Sequence, residues 1–182
     1  ISDKTPLVIQ GSNSKAFLGR PVTGQTLDVR CHRGIVNYDP TELVITARAG
    51  TPLVAIEAAL ESAGQTLPCE PPHYGEEATW GGMVACGLAG PRRPWSGSVR
   101  DFVLGTRIIT GTGKHLRFGG EVMKNVAGYD LSRLMAGSYG CLGVLTEISM
   151  KVLPRPRATL SLRREISLKE AMSEIAQWQL QP

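Results

Sequence analysis

The apolar positions of this chain fall into short runs and helical stripes, punctuated by glycine and proline. Pro6 to Gln10 (PLVIQ) is an apolar run ending at Gly11, which predicts a buried strand entering the polar loop GSNSK. Leu43 to Ala47 (LVITA) predicts a second buried strand. Thr51 then offers a helix N-cap, with Pro52 at the first helical position. Leu53, Ile56, Leu60 and Ala63 follow at helical spacing, and Gly64 suits the position just past the helix end. This strand–loop–helix unit is typical of α/β or α+β folds.

The pattern then changes. Pro68, Pro71 and Pro72 impose extended backbone. Thr79 is placed to cap a short helix running through Met83 and Cys86, although Gly81 and Gly82 each weaken such a helix by about 1 kcal/mol against Ala. Close backbone approach is the physical reason to keep them. Phe102–Thr110 and His115–Phe118, joined by Gly111-Thr-Gly, read as a β-hairpin. Asp130 caps a short helix with Leu131, Leu134 and Met135, closed by Gly137. Val144, Ile148, Met150 and Val152 alternate with Thr146, Ser149 and Lys151 as a half-buried strand. Pro154 and Pro156 mark a boundary. Beyond them Leu160, Leu162 and Ile166 predict a strand, and the capping box Ser167-Leu-Lys-Glu170 opens a helix carrying Leu168, Met172, Ile175 and Trp178. This tail reads as the first βα of a second domain, and both ends of the 182-residue chain are expected to be cut.

Composition narrows the function classes. Apolar residues make up 42% and charged residues 20%, ordinary globular usage. The net charge is +4, but the cations form no stripe interleaved with aromatics, so nucleic acid is not an expected partner. Arg92, Arg93 and Arg107 are the cations considered for drawing in an anion, against the alternative of solvated arginines. Cys31, Cys69, Cys86 and Cys141 show no CxxC spacing, so no metal site is expected, and scattered single cysteines suit a reducing compartment. No apolar stretch reaches the roughly 20 residues of a membrane span.

Three glycine-bearing segments carry the candidate chemistry. In the first, Gly11, Ser12, Asn13, Ser14 and Lys15 can aim successive backbone N–H groups, two hydroxyls and one ammonium at a phosphate; the alternative is a polar turn after a strand. The second runs from Pro72 to Gly82 into the capped helix. A pyrophosphate at the helix start and plain packing of two backbones are both open there. The third, Gly128-Tyr-Asp to Gly143-Val-Leu, would let a flat ring or a ribose lie against main chain, or is a tight turn. Neither GxxxxGK[ST] nor a strand-following GxGxxG is present, which disfavours a P-loop or a Rossmann fold.

In order, GSNSKAFLG, PCEPPHYGEEATWGGMVACGLAGPRRPWSGSVRDFVLG and FGGEVMKNVAGYDLSRLMAGSYGCLGVLTEISMKVLPRP resemble the FAD-binding domain of the vanillyl-alcohol-oxidase/PCMH flavoprotein superfamily. PRRPWSGSVRDFVLG and MKNVAGYDLSRLMAG are most similar to the family of FAD-binding subunits of bacterial glycolate oxidases. The resemblance implies an α+β, PCMH-type FAD-binding fold of two α+β subdomains over residues 1–153, with a subdomain break near 66–72. Residues 154–182 would then be a linker and the first strand–helix of a truncated substrate cap. It further implies that Gly11 to Lys15 bind the FAD pyrophosphate through main chain. Pro72, His73, Ala78, Thr79, Gly82, Ala85 and Cys86 would form the second FAD-contacting segment, and Gly140, Gly143, Val144 and Leu145 would line the flavin.

Two departures from the family pattern stand out. The first loop has Gly-Ser-Asn where many relatives have three glycines, and Tyr139 stands where relatives often have an acid. No histidine is placed for a covalent flavin link, so the implied FAD is non-covalent; His73 is the nearest to such a position. The implied activity is oxidation of glycolate to glyoxylate, with electrons passed through FAD to a second flavin subunit and an iron–sulfur subunit. The setting would be the cytoplasm, or the inner face of the membrane through those subunits. No catalytic base is identified. The rivals are a D-lactate or other 2-hydroxy-acid dehydrogenase, a non-catalytic FAD-binding or electron-relay subunit, a nucleotide-sugar reductase, and an α+β binding module without cofactor.

Overall fold

A computed structural model describes residues 4–75, 77–120 and 129–178. Its centre is a five-stranded antiparallel sheet in the order β3-β4-β8-β6-β7. The strands are β3 (Ile35–Asp39), β4 (Val44–Arg48), β6 (Val103–Ile109), β7 (His115–Gly119) and β8 (Val144–Lys151). Beside it lie a parallel pair, β1 (Leu7–Gln10) with β2 (Gln25–Asp28), and a short antiparallel pair, β5 (Gln65–Thr66) with β9 (Leu153–Pro154). The helices are α1 (Leu53–Ser62), α2 (Trp80–Cys86), α3 (Arg93–Ser96), α4 (Val99–Phe102), α5 (Leu131–Leu134) and α6 (Leu168–Gln177).

The α+β class expected from the sequence is what forms, but the sheet is shared across the chain. β4 pairs with β8 from Val44↔Lys151 to Arg48↔Glu147, so strands from both sides of residues 66–72 build one sheet, and that segment separates no two sheets. β8 is a central strand rather than a half-buried one. Ile148, Ser149 and Met150 are buried in succession, and Ser149 Oγ shares a 2.8 Å hydrogen bond with Thr46 Oγ1 of β4.

The core fills the space between this sheet and α1 and α2. Leu53, Ile56 and Leu60 of α1 recur at the spacing that puts them on one face, and all three are buried. Trp80, the largest buried side chain, starts α2 and fixes it to the sheet: its Nε1–H donates to the Ile148 carbonyl at 3.2 Å. A buried indole satisfied in this way combines apolar area with a specific anchor.

Two local expectations are corrected. Thr51 does not cap α1. Its hydroxyl donates to the Arg48 carbonyl at 2.7 Å and accepts from the Gly34 N–H at 2.9 Å, which ties β4 to the entry of β3, and Pro52 takes the N-cap position without a side-chain cap. The strand expected over Leu160–Ile166 is absent: those residues have no strand or helix assignment, and Leu160 and Leu162 are exposed. An alternating pattern makes a strand only where a neighbour accepts its backbone hydrogen bonds. α6 does form, with the Ser167–Glu170 capping box in place. Gly64 (φ +66°) ends α1 just past its last turn, as expected.

Candidate functional site

The first loop and the start of α2 are built into one another. A Cβ on Gly11 would lie 2.3 Å from Thr79 Oγ1, so only a glycine leaves room for that hydroxyl. Thr79 in turn caps α2 by accepting from the Gly82 N–H at 3.2 Å. Further out, Lys15 Nζ lies 5.9 Å from the centroid of the Tyr74 ring, and the Phe17 and Tyr74 rings meet edge to face at 5.2 Å.

The third segment closes the arrangement from the other end of α2. The Gly137 N–H donates to the Val84 carbonyl at 3.0 Å and the Tyr139 N–H to the Ala85 carbonyl at 2.9 Å. Gly87, in the left-handed region at φ +66°, ends the helix against Gly137, where a Cβ would lie 3.1 Å from the Gly137 nitrogen. Gly140 (φ +79°) stacks over Ile9 of β1. Turns far apart in sequence therefore converge around α2. Gly128, which opened the third segment in the sequence reading, lies outside the described residues.

The convergence does not give every expected residue the same task. The first amides of α2 are consumed inside the protein: Trp80 N–H donates to the Thr51 carbonyl at 2.8 Å, Gly81 N–H to the Ala49 carbonyl at 2.7 Å, and Gly82 N–H to Thr79. Ala78, Thr79, Trp80 and Gly81 are all buried. A Cβ on Gly81 would lie 2.7 Å from that of Ala49, so Gly81 serves backbone packing. Of the two roles left open for this segment, packing takes its helix start, and the helix N-terminus offers no free donor to a pyrophosphate.

The first loop behaves in the opposite way. Among the described residues no hydrogen bond uses the N–H groups of Ser12, Asn13, Ser14 or Lys15. Asn13 sits at φ +59°, a left-handed turn that asparagine tolerates better than most residues, and such turns make the anion-binding concavities called nests. Ser12 Oγ donates to Ser14 Oγ at 3.2 Å, which leaves the Ser14 hydroxyl proton to turn outward. Gly82 is half-buried, and apart from Thr79 Oγ1 a Cβ there would meet open space. Free amides, an ammonium and an uncovered helical glycine fit the phosphates of a dinucleotide better than they fit an apolar ligand.

The remaining expected residues have contacts of their own. His73 Nε2 is 3.1 Å from Glu57 Oε1 of α1 and helps wall a groove of about 440 Å³ that also holds Arg92 and Arg155. Pro72 is half-buried at the head of that segment, and Ala78 is a core residue. Gly143 (φ +148°) is needed for strand packing, since a Cβ there would lie 2.8 Å from the Ile109 carbonyl. Val144 and Leu145 pair with Ile109 and Ile108 on β6, and the Leu145 side chain belongs to the core. Of the arginines weighed for an anion, Arg92 pairs with Glu70 at 3.0 Å and Arg107 with Glu147 at 2.9 Å.

Cys86 is half-buried near the end of α2. Burial pushes its thiol pKa up, and the positive charge of Lys15 opposes that shift. Cys69 is more deeply buried and its pKa is pushed up to about 11 by desolvation. Neither is a ready nucleophile. Sequence reasoning missed Phe17 and Tyr74 as a pair. In a chain with 5% aromatic residues, an aromatic in each of two candidate loops was the available signal.

Comparison with known proteins agrees with this geometry. The chain is 96% identical over 182 residues to glycolate oxidase subunit GlcE of Escherichia coli K12, covering all of this chain and 52% of that protein. It is 32% identical over 176 residues to glycolate oxidase subunit GlcD of Bacillus subtilis, covering 96% of this chain and 37% of that protein. D-lactate dehydrogenase of Anaerostipes hadrus is 36% identical over 129 residues, 70% of this chain and 26% of that one. The chain thus spans about half the length, or less, of these curated relatives. Among solved structures, an alkyldihydroxyacetonephosphate synthase superposes with a TM-score of 0.64 at 25% identity, over 84% of this chain and 28% of that one. The family model for an FAD binding domain matches residues 2–119, well over half of the chain. This chain belongs to the FAD-binding domain family.

Proposed function

We propose that this chain is the FAD-holding part of a subunit of a 2-hydroxy-acid oxidoreductase, with glycolate as substrate and glyoxylate as product. The observation that carries the reading is the meeting of the Gly11–Lys15 loop, with its free amides, and the uncovered face of Gly82. The substrate class follows the glycolate oxidase subunits it is similar to. FAD, when bound, supplies the acceptor for the hydride that leaves C2 of the hydroxy acid. The chain's own residues bind and orient: the amides of Ser12 to Lys15 hold the pyrophosphate non-covalently, the Lys15 ammonium balances its charge, and Gly82 leaves room for the cofactor.

Residues 1–153 form the cofactor domain in this reading, and residues 154–182 are a linker and the start of a substrate-covering unit. The exposed Leu168, Met172 and Ile175 of α6 support that division, because an apolar stripe of this kind expects a covering layer. A second flavin subunit and an iron–sulfur subunit are the proposed electron partners. The proposed setting is the cytoplasm or, through those partners, the inner membrane face. Among the described residues no helix is long and apolar enough to cross a membrane.

The test is flavin content. The full-length protein should purify yellow, with visible flavin absorbance, and Gly82→Val should lose it, because a branched side chain would fill the cofactor's space. Flavin retained at wild-type stoichiometry in Gly82→Val overturns the placement. D-lactate is the second substrate to consider, favoured by the 36% identity to a D-lactate dehydrogenase. Turnover of the assembled complex on glycolate and D-lactate separates the two.

A further inference from the structure

The residues that join the first loop to the segment before α2 carry a more specific conclusion. Tyr74 lies two residues after Pro72, and the base of its segment is held by the His73–Glu57 contact at 3.1 Å. Its ring meets two partners from the first loop: Phe17 edge to face at 5.2 Å with an interplanar angle of 86°, and the Lys15 ammonium at 5.9 Å from the ring centroid. Tyr74 is 50% exposed and Phe17 64% exposed, so neither residue is there to fill the core. What the pair does is fix two loops against each other at their outer ends, while Gly11 and Thr79 fix them at their inner ends.

We propose that Tyr74 is a positioning residue for the cofactor: it clasps the Gly11–Lys15 loop through Phe17 and restrains the Lys15 ammonium against its ring, at the end of the loop whose free amides receive the pyrophosphate. This rests on the FAD reading above and adds a residue to it. The physical argument has two parts. A loop whose amides have no internal partner must otherwise be ordered by the ligand itself, and that ordering weakens binding. A lysine on a flexible four-carbon stem is likewise a diffuse charge until something restricts it, and a ring face does so without neutralising it. The clasp therefore acts on the phosphates of the cofactor and leaves the isoalloxazine ring untouched.

The experiment measures FAD and riboflavin affinities of the full-length apoprotein by fluorescence titration. Tyr74→Ala should weaken FAD binding about tenfold, and Tyr74→Phe, which keeps the ring, should stay within about twofold of wild type. Lys15→Met should weaken FAD binding by a similar factor, and Tyr74→Ala combined with Lys15→Met should cost less than the product of the two single effects, because both remove one device. Riboflavin, which has no phosphate, should bind wild type and all four variants alike. The proposal is overturned if Tyr74→Ala binds FAD as wild type does, or if FAD and riboflavin lose affinity in parallel, which would mark a structural role. A wild-type protein that takes up no FAD would instead sink the cofactor reading itself. Thermal unfolding of each variant identifies any that fails to fold, and for such a variant Tyr74→Leu repeats the test with a bulky side chain that has no π face.

Discussion

Gly11–Lys15 and Thr79–Gly82 are both short, glycine-bearing segments at the end of a regular element, and they are used in opposite ways. The second is buried from Thr79 to Gly81, and the amides of Trp80, Gly81 and Gly82 end on Thr51, Ala49 and Thr79. The first is half-exposed, and the amides of Ser12 to Lys15 have no partner among the described residues. Gly11 in the first and Gly81 in the second both permit close packing, so what separates the segments is their donors. The difference teaches that a glycine-rich stretch is not a ligand loop by composition. The destination of its N–H groups decides, and that destination is set by tertiary neighbours distant in sequence.

The sharpest way to break the comparison is Gly81→Val. A side chain there must enter space already held by Ala49, whose Cβ and carbonyl would lie 2.7 and 3.0 Å from the new Cβ. Overpacking of this kind costs about 1–3 kcal/mol, so a clear fall in the denaturant midpoint is expected. The fraction that stays folded should bind FAD with unchanged affinity. An unchanged midpoint together with lost FAD would mean that Gly81, too, faces the cofactor.

Thr79→Ala comes next and sits at the seam between the two segments. It removes the cap of α2, which costs about 1 kcal/mol, and leaves the Gly82 N–H without its acceptor. It also removes the hydroxyl that Gly11 makes room for. Both readouts should therefore move: a modest fall in thermal midpoint and a measurable loss of FAD affinity. A change in only one of them would show that the two segments are not coupled through this side chain.

Much of this arrangement was legible from sequence where local signals were strong. The Thr79 cap, the Asp130 cap, the Ser167–Glu170 box and the apolar spacing of Leu53, Ile56 and Leu60 all act within a few residues, and each took its expected place. The misses share a cause. β2 (Gln25–Asp28) and β3 (Ile35–Asp39) are short and largely exposed, without an apolar run to announce them, and both exist only because β1 and β4 offer their edges. The Leu160–Ile166 stretch had the alternation but no such edge. At the site, the loops were visible as glycine and serine text. Which of them kept free amides was not, since Ala49 and Thr51 consume the α2 donors from some thirty residues away.

The smallest effect on stability, and the most telling contrast, is expected at Ser14→Ala. The Ser14 hydroxyl accepts a 3.2 Å hydrogen bond from Ser12 Oγ in a half-exposed loop, and losing it should change stability by no more than about 0.5 kcal/mol. If the loop receives a pyrophosphate, however, that hydroxyl is a donor to a charged acceptor. Such a bond is worth about 1.5 kcal/mol at the low end of its range, so FAD affinity should fall about tenfold. Gly81→Val and Ser14→Ala would then be mirror images, one lowering the midpoint at constant affinity and the other lowering affinity at constant midpoint. Isothermal titration with FAD alongside chemical denaturation reads both quantities on the same preparation. A Ser14→Ala protein that binds FAD as tightly as wild type would leave the first loop as an ordinary polar turn, and the contrast between the two segments would reduce to a difference in burial.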